Sequence, residues 1–511
     1  MLKNVTHSGG VEDVGELLFS TPFGYMLPEA AASEDCLLPV SERTTDALLE
    51  LGDAMGDAAT PPDPSLDSPI PAAFTYLGQF IDHDVTARTD REHGISRISQ
   101  ADGRPLPITP LSPETVVATL KNGRRPQLDL DSLYGDGPPL VAESDTEAAA
   151  LYDPTSGKLE LQDLGSGLVD LPRDGRTARI GDGRNDENVN VSQLHAAFAA
   201  FHNKVVDLVG GAPSPAQKYS KARQIVRWTY QYIVAHDYLT RVCDADVVNE
   251  LIRNGPFFFG PGTGGVELYM PIEFSVAGFR FGHSMIRPSY RLGSSATKNI
   301  EDILGVSVAR EPADDLLEEV GGGWRLKDEN RIRWANFLEF PVQPAPQMAR
   351  KIDPLISKGL FDLPFEGASG PAAMIRHLAQ RNLCRGYLLS VPTGQAVAGA
   401  MGIVPLLENE LTDGEPPAVE EAMARGRFQR RTPLWYYVLR EAKVQKNGDS
   451  LGAVGSRLVA ETILGFLKHD PNSFINNRYH DRVTGAGIKV PGRPQPIGSL
   501  ADMIDYVGLQ K

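Results

Sequence analysis

Cysteine is scarce: Cys36, Cys243 and Cys384 are the only three in 511 residues, and no Cys-x-x-Cys occurs. Neither a disulfide framework nor a structural zinc site is supported, and the redox compartment stays open. Long apolar runs are also missing, since no stretch approaches the roughly 18 uninterrupted apolar residues of a membrane-spanning helix. The opening Met1-Leu2-Lys3-Asn4-Val5-Thr6-His7 contains no apolar core of a secretory signal. The expectation is a cytoplasmic protein, or one exported without a classical signal. Positive charge is in deficit, with 50 Lys and Arg against 66 Asp and Glu, a net charge of −16. That balance argues against nucleic acid and anionic membrane surfaces as partners. What remains, 41% hydrophobic and 23% charged residues, is the composition of a globular enzyme with a large core.

Residues 57–72 are rich in Pro, Asp and Ala and read as a loop, and residues 1–72 are expected to wrap around a core rather than form a domain. Residues 97–188 are dense in Gly, Pro and Asp and read as loops, turns and brief strands, the kind of irregular segment that builds sites. Helical periodicity predicts helices through Phe74–His83, from Val189 past Leu208, over Ala222–Val242, Ser275–Arg287, Ala372–Leu388, Pro433–Ala442 and Leu451–Lys468. The stretch Glu408–Arg425, with its acidic run and Pro416-Pro417, reads as a surface excursion. The fold class expected is mainly α: one large helical domain over 73–511, with long irregular loops and few short strands.

The densest chemistry lies in Gly78-Gln79-Phe80-Ile81-Asp82-His83-Asp84. On a helix Gln79 and His83 share a face at i and i+4, Asp82 lies beside them, and Asp84 points about a quarter-turn away. Taken alone, His83 is a buried core histidine beside a solvated acidic edge. Further segments follow in order: Gly181-Asp182-Gly183-Arg184-Asn185-Asp186-Glu187-Asn188, with eleven residues from Arg184 to His195; Phe279-Arg280-Phe281-Gly282-His283-Ser284; and Arg381-Asn382-Leu383-Cys384-Arg385-Gly386. Asp129-Leu130-Asp131-Ser132-Leu133-Tyr134-Gly135 and the helix-like Gly452–Ile463 complete the set. Together, from about Tyr76 to Leu467, these segments resemble the peroxidase-cyclooxygenase superfamily, the animal-type haem peroxidases, and a compact bacterial-type member in particular.

That resemblance implies haem b and a role for each segment. His283 is the implied axial ligand of the iron, Asn382 accepts its other ring N–H, and Arg385 and Arg280 lie at the cofactor. His83 takes a proton from hydrogen peroxide and returns it to the distal oxygen while Arg184 stabilises the charge, giving a ferryl intermediate. Gln79 stands where the peroxidases place a residue beside the halide. Asp82 and Glu187 occupy the positions that form ester links to haem in mammalian members, whereas Asn188 excludes the sulfonium link of one branch. Calcium is implied at Asp84, Asp129 and Asp131, with the carbonyls of Arg125 and Gln127, and it would fix the helix carrying His83. Arg125 stands where the family often has a hydroxyl ligand. The implied partners are hydrogen peroxide and small anionic or aromatic reductants: halides, thiocyanate and phenols, in a response to oxidative stress. The dioxygenases of the superfamily carry a radical tyrosine where this chain has Arg280. Three alternatives remain. One is a fatty-acid dioxygenase using another tyrosine such as Tyr387, and one is a haem-binding protein without turnover. The third is a metal-dependent phosphohydrolase built on His83, Asp82 and Asp84 with His195 or His202.

Overall fold

The strand Asp67–Pro71 pairs antiparallel with Met348–Arg350 and delivers the chain into the helix that carries the densest motif. The computed structural model describes residues 21–57, 63–87, 108–135, 151–165, 167–260, 268–293, 297–363 and 376–510, with backbone pairing alone for 2–5 and 11–14. Eight helices carry the argument. They are α1 (Glu42–Ala54), α2 (Ala73–Val85), α3 (Val189–Leu208), α4 (Pro215–Ile233), α5 (Leu378–Leu388), α6 (Pro417–Gly426), α7 (Leu434–Lys446) and α8 (Ala453–His469). Strands are short, nearly all in two-stranded ladders. The architecture is mainly α, as the sequence predicts.

Local chemistry sets the helix starts. Ser41, Asn188 and Ser214 cap α1, α3 and α4, each side chain accepting from a backbone N–H three residues on. Helix α2 packs on α3, α3 on α4, and α7 on α8. Where α2, α3 and α4 meet, Phe80 stacks on Phe198 with ring centroids 5.1 Å apart, and both meet the edge of Tyr230. Almost all of α2 is buried, including Asp82, His83 and Asp84. Three ionisable side chains in one buried turn are costly unless paired, so their partners define the site.

Two expectations need correction. The predicted helix over Ser275–Arg287 is instead a wide π-type turn, Glu273–Ala277, followed by tight 3-10 turns over Gly278–His283. Two glycines weaken regular helix here, and a Cβ on Gly278 would come within 3.3 Å of the Glu273 carbonyl and 3.4 Å of Leu458. The excursion over Glu408–Arg425 contains α6, whose Val419, Ala422 and Met423 are buried and which packs on α1. Its charges mask an amphipathic helix. The start of the predicted helix at 372–375, and parts of the irregular stretch at 97–107 and 136–150, lie outside the described residues. Among the described residues no helix is long and apolar enough to cross a membrane.

Candidate active site

A single cavity gathers much of the predicted constellation. It encloses about 740 Å³ between side chains, its open mouth included, and is walled by Gln79 and Asp82 of α2, by Glu187 and Asn188 before α3, and by Arg280, Gly282 and His283 of the tight turns. Ile286, Ile300, Leu304, Leu360, Leu363 and Leu378 supply an apolar wall. Polar groups converging on an otherwise apolar cleft are the usual build of a cofactor or small-molecule site.

The polar wall is tied together. Gln79 Nε2 donates to Glu187 Oε2 at 3.2 Å, and Asn188 Nδ2 donates to Gln79 Oε1 at 2.9 Å. Arg280 Nη1 donates to Asp82 Oδ2 at 3.0 Å, while its Nε donates to the Ser275 carbonyl at 2.9 Å. Trp435 of α7 donates to the Arg280 carbonyl at 3.0 Å and sets its ring edge-on to His283. The tight turn is thereby anchored from both sides.

His83 and Arg184 lie beside this wall rather than on it. Both are buried, and Arg184 Nη2 donates to the His83 carbonyl at 3.0 Å. Asp182 receives the Arg184 guanidinium at 2.6 Å and that of Arg124 at the same distance. Burial alone would lower the Arg184 pKa, but Asp182 outweighs it, and the guanidinium stays firmly charged. Asp182 is held far below the usual carboxylate range by Arg184 and Arg124, against the opposing effect of its burial.

The His83 ring is oriented by a residue that sequence reasoning missed. Its Nδ1 lies 2.8 Å from Asn185 Oδ1, and Asn185 Nδ2 lies 3.0 Å from His195 Nδ1. Burial pushes His195 down to about 3, so it is neutral and can accept from the amide. The amide oxygen then faces His83, whose Nδ1 carries the proton and whose Nε2 is the basic atom. Asn185 sits in a Gly/Asp/Asn turn of a composition that ordinarily marks a solvated loop. Asp182 was hidden in the same way.

On the opposite side, Asn382 of α5 places Nδ2 2.8 Å from His283 Nδ1. The pairing is the expected one, but the end of the amide is not. Turning it over presents Oδ1, and only that orientation accepts Nδ1–H and leaves the Nε2 lone pair for a metal. Arg381 and Arg385 stand one turn apart on α5. Burial, then Arg385 and Arg280, push Arg381 down to about 10, and its Nη1 is shielded from solvent without a hydrogen-bond partner among the described residues. Tyr387, the tyrosine of the dioxygenase alternative, donates to the Pro39 carbonyl and does not line the cavity, whereas Tyr76 and Tyr238 do.

A family model for the animal haem peroxidases matches residues 60–313, a span that includes His83, Arg184 and His283. A peroxidase-like protein of Margaritifera margaritifera is 25% identical over 248 residues, covering 42% of this chain and 31% of that protein. Human thyroid peroxidase is 27% identical over 129 residues, covering 25% of this chain and 13% of that protein. In fold, the chain matches peroxidase A of Dictyostelium discoideum with a TM-score of 0.59 at 14% identity, covering 95% of this chain and 96% of that one. It matches rice fatty acid alpha-dioxygenase at 0.58 and 14% identity, covering 99% of this chain and 82% of that one.

The chain belongs to the peroxidase-cyclooxygenase superfamily. It spans less than a third of the length of the curated relatives above. The superfamily's cofactor fits the cavity. An imidazole stands in its wall, and among the described residues a Cβ placed on Gly282 beside it would meet nothing within 4 Å and one of three clustered guanidiniums has an unpartnered nitrogen, a set that suits the carboxylates of a haem.

Calcium fits less well. Asp84 accepts from the backbone N–H of Leu130 and Ser132 at 3.2 and 3.4 Å, and the Arg125 guanidinium reaches both Asp129 and Asp131. The Arg125 carbonyl accepts from Gln127 N at 2.8 Å. Among the described residues no group of three or more His, Cys, Asp or Glu is arranged to hold a metal ion.

Proposed function

We propose that the chain is a haem-dependent peroxidase that reduces hydrogen peroxide to water and oxidises halides, thiocyanate or small phenolic donors. The observation that carries this is the arrangement of two histidines of opposite kind about one cavity. His283 stands in the wall with Asn382 behind it, and His83 is buried beside the Gln79 and Asp82 wall with its tautomer set by Asn185.

Haem, when bound, supplies the redox chemistry that consumes peroxide and draws electrons from the donor. The chain does the rest. His283 Nε2 would hold the iron, with Asn382 Oδ1 accepting the Nδ1 proton and so fixing the ring and its basicity. Arg280, Arg381 and Arg385 would neutralise the propionates. His83 Nε2 accepts a proton from peroxide and returns it to the departing oxygen, and Arg184 keeps a fixed positive charge nearby so that no reorganisation accompanies bond breaking. Gln79, held by Glu187 and Asn188, presents an amide at the cavity wall where an anionic donor can bind. Asp82 and Glu187 both line the cavity and would be the carboxylates for ester links to haem methyl groups, each new C–O bond replacing a methyl C–H and a carboxyl O–H while hydrogen peroxide takes up the two electrons and two protons to give water. This chemistry fits a role in peroxide stress.

The rice enzyme's fold and the apolar wall favour a second reading, a fatty-acid dioxygenase. Arg280 in place of a tyrosine weighs against it, since a guanidinium does not form the required radical. Haem-loaded protein assayed with peroxide plus iodide, thiocyanate and guaiacol, and separately for oxygen uptake with a C16–C18 fatty acid, tests the pair. Donor oxidation without oxygen uptake supports the peroxidase; the reverse overturns it.

A further inference from the structure

The superfamily resemblance places a calcium ion between Asp84 and residues 125–131, where this chain presents a side chain of its own. Arg125 Nη2 lies 3.2 Å from Asp129 Oδ2, and 3.4 and 3.5 Å from the two oxygens of Asp131. Both carboxylates are essentially inaccessible, at 2% and 0% side-chain exposure, while the arginine closes over them at 40%. A second guanidinium, that of Arg223 on α4, stands 3.7 Å from Asp131. The third carboxylate, Asp84, meets the loop directly through the N–H groups of Leu130 and Ser132. Leu130 adopts φ +62°, a left-handed conformation unfavourable for leucine, in the segment that makes these contacts.

A calcium ion needs six to eight oxygens. Of the six carboxylate oxygens here, Asp129 Oδ1 has no hydrogen-bond partner among the described residues, while both oxygens of Asp84, both of Asp131 and Asp129 Oδ2 face a donor. The guanidinium and an ion would compete for the same atoms. A guanidinium also suits the task, because its rigid fork can serve two carboxylates at once and, being covalently part of the chain, it cannot be diluted away or chelated.

We propose that the Arg125 guanidinium is the resident counter-cation of Asp129 and Asp131, and that the helix bearing His83, tied to the loop through Asp84 and the N–H groups of Leu130 and Ser132, is held there without calcium. The haem reading is not needed for this, and the test does not read haem. The purified chain, with and without EDTA, is analysed for metal content and thermal unfolding, then titrated with calcium chloride alone by calorimetry, beside Arg125→Thr. Wild-type protein is expected to carry no stoichiometric calcium, to show no shift in Tm with EDTA and to give no calcium heat. Arg125→Thr is expected to bind one equivalent of calcium and to lose several degrees of Tm in EDTA. Stoichiometric calcium in the wild type, with a drop in Tm on chelation, overturns the proposal whether or not the variant folds. So does a calcium-free Arg125→Thr whose Tm equals that of the wild type.

Discussion

Arg280 and Asp82, 198 positions apart, form a buried ion pair at 3.0 Å that joins the turn carrying His283 to the helix carrying His83. Both residues line the cavity, so the pair ties its two sides together. It also gives Asp82 two claims on it: the arginine, and any cofactor carbon that approaches.

If both cavity carboxylates react with the cofactor, haem from the wild-type protein should resist acid-acetone extraction after exposure to peroxide. Asp82→Asn and Glu187→Gln should each release a larger fraction, and the double variant essentially all. Complete extraction from the wild type would remove the ester links while leaving the haem.

His83→Ala should keep its haem yet react with peroxide about 10²–10⁴-fold more slowly in stopped flow, the usual worth of a positioned acid-base group. Asn185→Ala leaves the base in place and frees its tautomer, so a smaller loss of about 10- to 100-fold is expected, by analogy with outer partners of metal-bound histidines. A loss confined to donor turnover, with the peroxide step intact, would contradict both roles.

Arg184 is structural as well as chemical. Arg184→Gln leaves Asp182 buried with Arg124 alone, and the loss of one partner from a buried pair costs about 3 kcal/mol or more. Urea unfolding should show a lowered midpoint at unchanged slope. An unchanged midpoint would mean that Arg124 suffices.

Glu441 of α7 accepts from the N–H groups of Val454 and Gly455 at the start of α8, and burial raises its pKa from 4.5 to about 7 despite those bonds. Its folded value lies above its unfolded one, so its favourable contribution is complete below pH 4.5 and is lost as pH rises through 7. The loss amounts to about 3 kcal/mol at most. Glu441→Gln should flatten the fall in stability between pH 5 and 8, measured by urea unfolding; an unaltered slope would show that other groups set it.

Much of the helical frame was legible because α2, α3, α4, α7 and α8 have long periodic apolar faces and, in α3 and α4, the polar caps Asn188 and Ser214. The tight turn at His283 was not, since Gly278 and Gly282 break the helix without disturbing the apolar pattern around them. Helix α6 was hidden by its own charges. Within the site, Gln79, Asp82, Glu187, Arg280 and His283 stood out as motif residues, and the structure brings them to one cavity. Asn185 meets His195 and His83 across 10 and 102 positions, Asp182 meets Arg124 across 58, and Arg381 is marked by uncompensated burial, none of which local sequence displays. Arg125 was visible as a departure from the family pattern, but the direction of its side chain was not.

The most direct test is an absorption spectrum of the chain reconstituted with haem, recorded before and after one equivalent of hydrogen peroxide, for the wild type, His83→Ala and His283→Ala. The result expected is a Soret band in the wild type that shifts with peroxide, a band in His83→Ala that barely responds, and little or no band in His283→Ala. A wild-type protein that acquires no Soret band, or a His283→Ala variant that binds and responds as the wild type does, would contradict the assignment of the cavity.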